Sequence, residues 1–161
     1  MDQTHLHLVI THLPIFGSIL GAFVLAYGLW SKTDPTKVAA YYVFIITAVG
    51  AGIAYITGEA AEETVENIQG IAESVVEEHE EFAIFALVSI LTLGVGSVIG
   101  AVATLKRSRL TTKIATVILL ISLVSFALVA RTGYLGGQIR HTEISDAPSG
   151  QVDSSEYESE D

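Results

Sequence analysis

The sequence predicts an all-α fold: an integral membrane bundle of four up-and-down helices. Both termini and an amphipathic link helix are expected on the outer side. Three observations predict it. Half of the 161 residues are apolar and the mean hydropathy is +0.54. Only 16% are charged, against about 25% in an ordinary soluble domain. The apolar residues also gather into four blocks, each close to the roughly 20 residues of helix that cross a bilayer, and the only Asp, Glu, Lys or Arg in them is Lys113, near one end of the last. Soluble helices of that length show a charged face. The formal charge of −10, from 8 Lys and Arg against 18 Asp and Glu, excludes a nucleic-acid binder, which needs a basic footprint. The absence of cysteine excludes disulfides, iron–sulfur clusters, thiolate metal sites and cysteine nucleophiles.

The expected spans are Leu8–Trp30, Val38–Thr57, Phe82–Leu105 and Leu110–Ala130, the last continuing towards His141. The links Ser31–Lys37 and Lys106–Arg109 are short, which makes consecutive helices antiparallel neighbours. Lys32, Lys37, Lys106, Arg107, Arg109 and Lys113 fall on one side of the bundle, with Asp34 as the only acid there. By the positive-inside rule that side is cytoplasmic, in a cell (inner) membrane. Both termini and the acidic link Gly58–Glu81 then face outward. In that link Val65, Ile68, Ala72 and Val75 recur at helical spacing between glutamates, the pattern of an amphipathic helix interrupted at Gly70. The N-terminus lacks a basic n-region and a small-residue cleavage site, so the first span reads as a retained helix. Residues 1–144 form one transmembrane domain, and no internal repeat stands out. Residues 145–161 are a Ser/Asp/Glu-rich tail expected to be disordered.

All five histidines, His5, His7, His12, His79 and His141, belong to the outer half on this topology. Measured by helix rise from the basic end, His12, Glu59 and Arg131 lie roughly 28 to 33 Å up, and His7 and His79 roughly 36 to 40 Å up. Arg131, Tyr134, Gln138 and His141 share one face of a continued fourth helix. Gly133, Gly136 and Gly137 run beside that face, and glycines let a flat group or another backbone approach closely. His7 and His12 are five apart and point away from each other on a regular helix; a kink at Pro14 would change that phase. Gly17, Gly21 and Gly28, with Gly96 and Gly100, form small-residue stripes that serve helix packing, or a homodimer.

Haem b needs one or two neutral imidazoles from facing helices, a slot lined by small residues, and cations for its propionates. His7 or His12 with His79 is the expected axial pair, with His141 a further candidate. Gly133 and Gly137 would line the slot, and Arg131 and Arg140 would supply the cations. The alternative is a Zn, Cu or Fe ion held by His7, His12 and His79 with Glu59, since such ions take three or four N/O ligands. A third reading is a cofactor-free accessory subunit whose acidic outer face docks a partner. Each charged group also has a plainer role: Glu59 and Arg131 can pair across the bundle, and His141 can answer the helix dipole. Hydrolytic catalysis finds no nucleophile–base spacing. Transport finds no ionisable relay in the inner half. An electron carrier or binding subunit is therefore expected rather than an enzyme.

Three motifs carry a resemblance. His7-Leu-Val-Ile-Thr-His12-Leu-Pro14, Thr57-Gly58, and Thr132-Gly133-Tyr134-Leu135-Gly136-Gly137 before Arg140-His141 resemble a prokaryotic four-helix membrane domain family of unknown function. Its members begin with two histidines five apart before a proline and end with Gly-x-x-Gly-Gly and a histidine. The resemblance covers Leu6 to about Ile144. The family is similar in appearance to cytochrome b561-like haem-binding bundles, and some members are fused to Rieske-type domains. It implies a redox role, with His7, His12 and His141 at the motif positions and His79 near a histidine that opens the third helix. The inner half has no histidine, which excludes a path through two stacked haems in one subunit.

Overall fold

A computed structural model describes His7, residues 9–65 and residues 73–140, with the side chains of His7, residues 9–58 and residues 77–137. His5, His141 and the acidic tail lie outside the described residues, as do the side chains of Glu59 and Arg140. Four helices follow in order: α1 (His12–Trp30), α2 (Asp34–Val65), α3 (Glu73–Leu105) and α4 (Thr111–Arg140). No strand occurs among the described residues. Each helix contains a stretch long and apolar enough to cross a membrane: His12–Trp30, Asp34–Gly58, Glu77–Leu105 and Thr111–Gly137. This is a multi-pass membrane protein. Large side chains such as Phe16, Phe23, Ile46, Ile56, Val95 and Leu120 face outward, the surface that lipid rather than water requires.

The link between the second and third spans is described at its two ends only. Its described ends continue α2 to Val65 and start α3 at Glu73, and residues 66–72 lie outside the described residues. The fourth helix does run on past the apolar block, as far as Arg140.

Packing closes the four helices into a ring: α1 meets α2, α2 meets α3, α3 meets α4, and α4 returns to α1. The helices α1 and α3 therefore stand on one diagonal, and α2 and α4 on the other. Tyr41, Phe44, Leu25, Ile90, Leu93 and Ile118 fill the centre. The small-residue stripes are used inside this ring. Gly17 faces Thr47, Gly21 faces the Phe44 ring, and Gly28 faces Lys37; Gly100 faces Ile118 and Tyr41. Gly52 and Gly137 are open, where a side chain would meet nothing within 4 Å.

The two hairpins, α1–α2 and α3–α4, turn alike. Lys32 and Arg107 both take positive φ, 56° and 53°, directly after the first helix of each hairpin. In each turn the next N–H reaches back five residues, Thr33 to Gly28 O at 3.1 Å and Ser108 to Ala103 O at 2.9 Å. This is the Schellman ending, which satisfies carbonyls that the helix leaves open. At the mid-depth of the bundle Gly17 lies on Thr47, and the corresponding pair, Ser89 and Ser125, shares a 2.7 Å hydroxyl bond. The two hairpins are copies of one plan. The repeat escapes notice along the chain because only a few contact positions keep the same residue type.

Candidate functional site

The same plan governs the histidines. His7 precedes α1, and His79 lies 72 residues later in the first turns of α3. The His7 Nδ1 is 2.9 Å from the Ala54 carbonyl on α2, and the His79 Nδ1 is 3.1 Å from the Thr132 carbonyl on α4. The acceptors are 78 residues apart. One helical turn beyond each acceptor stands a glycine. A Cβ on Gly58 would come 3.3 Å from His7 Cε1, and one on Gly136 would come 3.1 Å from His79 Cε1. Each imidazole thus brings its Cε1–Nδ1 edge close to the bare backbone of the neighbouring helix, with Nδ1–H given to a main-chain carbonyl one turn back. That bond selects the tautomer whose Nε2 lone pair is free, as in metal-bound histidines.

Because α1 and α3 are diagonal, the two imidazoles belong to opposite corners of the ring at the same end. Both are half-buried. His7 has one further contact, the Thr57 hydroxyl at 3.3 Å from Nδ1. That hydroxyl is itself bonded to the Ile53 carbonyl at 2.9 Å.

His12 goes elsewhere. Pro14 has no N–H to give to the carbonyl of Ile10, and the chain turns at Thr11 before α1 begins. Within the first turn of α1 the missing donor costs nothing, since the opening N–H groups of a helix have no partner in it. Thr11 keeps helical dihedrals, φ −61° and ψ −24°, and its N–H bonds the His7 carbonyl at 3.0 Å, so the five-residue spacing itself turns the two histidines apart. His7 turns inward to α2, while His12 is exposed and stacks on Phe16 with ring centroids 6.3 Å apart.

Arg131 is also engaged outside the ring of helices. Its Nη2 lies 2.6 Å from Glu78 Oε1 across α3 and α4. Its guanidinium sits 5.6 Å from the Phe82 ring and 5.7 Å from the Tyr134 ring. Among the described side chains the ion-pair partner of Arg131 is Glu78; the Glu59 side chain lies outside them. Gly133 accommodates Ile15 of α1, whose Cδ1 would lie 3.0 Å from an added Cβ, and Gly137 is open. Among the described residues no three His, Asp or Glu side chains converge as a metal-ion ligand set.

Sequence reasoning found both converging histidines but not what holds them. Thr57-Gly58 and Gly136 were visible as motif residues. Their use as imidazole seats depends on helix rotation, and so does the paired geometry. No family model matches the chain, and neither a curated protein nor a solved structure matches it, so the resemblance rests on its motifs alone.

Proposed function

We propose that the protein binds haem b between His7 and His79 and serves electron transfer at the outer face of a cell membrane. The single observation behind this reading is the matched pair of imidazoles. Each rests on one of the two diagonal helices α2 and α4, beside a glycine, with its Nδ1–H tied to a main-chain carbonyl. Two axial nitrogens on opposite sides of a flat macrocycle need such a pair, and the outer hydrogen bond raises the basicity of a ligating imidazole. The donor set fits a porphyrin iron better than a bare Zn, Cu or Fe ion, which takes three or four protein ligands.

In this reading the haem supplies one-electron chemistry, and the chain's residues set its place and potential. His7 and His79 would ligate, Gly58 and Gly136 would leave room for their rings, and the apolar helices would hold the site at the bilayer edge. Arg140 and His141 remain candidates for propionate contact from the end of α4. The orientation follows from the six basic residues at the opposite end. The acidic residues crowded beside the histidines would favour a cationic redox partner outside.

The test is the visible spectrum of the detergent-solubilised protein, produced with ample haem, before and after dithionite. A Soret band with sharp reduced bands of a low-spin, bis-imidazole haem is expected. His7→Ala and His79→Ala should each abolish the low-spin form, and His12→Ala should keep it. A protein free of haem under these conditions overturns the reading, and stoichiometric metal in the same sample would favour the ion instead.

A further inference from the structure

We propose that Arg131 is a positioning residue for His79, acting through an ion pair with Glu78 that locks α3 and α4 in register. The inference takes its functional weight from the haem reading, but its geometry stands apart from it. Glu78 precedes His79 and Arg131 precedes Thr132, so the ion pair and the imidazole–carbonyl bond are neighbouring rungs between the same two helices. A slide or rotation of α4 that lengthens one lengthens the other.

The guanidinium is held from three directions. Glu78 binds it at 2.6 Å, and Phe82, one turn further along α3, and Tyr134, one turn along α4, lie beside it. An exposed ion pair alone contributes little. Here two rings lie beside the guanidinium and add cation–π attraction. A cation so committed is poorly placed to leave for a ligand carboxylate.

The other hairpin shows why such a lock is needed. By the spacing that relates Gly58 to Gly136, Ile53 occupies the place of Arg131, and Leu135 the place of Thr57. His7 has the Thr57 hydroxyl beside its carbonyl acceptor. His79 has only the carbonyl. Each imidazole therefore has a main-chain acceptor and one support peculiar to its own half: a hydroxyl for His7, an ion pair for His79.

The experiment exchanges the charges. Full-length protein with ¹⁵N-labelled histidine is compared by NMR in detergent as wild type, Arg131→Gln, Glu78→Arg, Arg131→Glu and the double variant Glu78→Arg/Arg131→Glu. The single variants should shift the imidazole nitrogens of His79 and leave those of His7 in place. The double variant should return His79 towards its wild-type position, and Arg131→Lys should do so in part. In haem-loaded samples the low-spin spectrum should weaken in the singles and recover in the double. Unmoved His79 resonances in the singles, or failure of the double to restore them, overturns the proposal. Arg131→Gln keeps the test open should the charge reversals fail to fold. A direct role for Arg131 as a carboxylate-binding cation predicts no recovery on exchange. If wild type binds no haem, the NMR comparison still decides the lock, so the two readings fail separately.

Discussion

An imidazole laid on a glycine is sensitive to a single methyl group. An added Cβ at Gly136 would stand 3.1 Å from His79 Cε1, closer than ordinary contact, and a branched side chain would displace the ring. Gly136→Val is expected to weaken haem binding roughly tenfold or more, from an overpacking cost of about 1–3 kcal/mol, as read by haem titration. Gly137→Ala, next to it but open, should bind like wild type. Equal losses at the two positions would remove the seat from the account. At Thr57 the expected effect is smaller. Thr57→Val removes the hydroxyl from His7 Nδ1 but leaves the Ala54 carbonyl, a loss of about 0.6 kcal/mol by the average for hydrogen bonds between membrane helices. It should shift the His7 imidazole resonances and raise the reduction potential slightly, since a less basic imidazole stabilises ferric iron less.

At the scale of the helices, each ends where local chemistry says it should. Lys32 and Arg107 both sit in the left-handed region, where an L side chain costs about 1–2 kcal/mol. Lys32→Gly and Arg107→Gly should therefore each stabilise the bundle by roughly 1 kcal/mol, measured by denaturant or thermal unfolding in detergent. A Val at either site should destabilise it by a similar amount. Inside the ring, Gly21→Leu drives a side chain into Phe44 and should lower the unfolding temperature clearly, by an overpacking cost of about 1–3 kcal/mol. The turn at Thr11 belongs to this scale as well. A proline three positions into a helix was legible in the sequence. That His7 and His12 point apart was legible too, from their five-residue spacing; which of them faces α2 was not, because packing sets the rotation of the helix.

For the molecule as a whole, the lack of cysteine makes sidedness directly measurable. Single-cysteine variants at Glu77, beside the histidines, and Ser108, in the basic turn, put one thiol at each end of the bundle. Both native side chains are exposed. A membrane-impermeant maleimide applied to intact spheroplasts should label Glu77→Cys and spare Ser108→Cys. The reverse pattern would invert the orientation drawn from the basic residues. The repeated hairpin matters at this scale too. Two copies of one plan in a closed ring place equivalent side chains at opposite corners, which is how one chain presents two similarly held imidazoles at the same end.

The number of spans, their approximate limits, the membrane setting and the gathering of histidines at one end were legible in the sequence. Those properties depend on lengths of apolar chain and on counts of charge, which add up residue by residue along the chain. The partners were not. That His7 rests on α2 and His79 on α4, that His12 turns away, and that Arg131 joins Glu78 all depend on the rotation and register of each helix. Packing at Gly17, Gly21 and Gly100 sets those quantities, and a hydrophobic span offers the same composition at every rotation. Composition could therefore place the histidines at the same end and depth, but only the packed ring selected which of them are held side on to a neighbouring backbone.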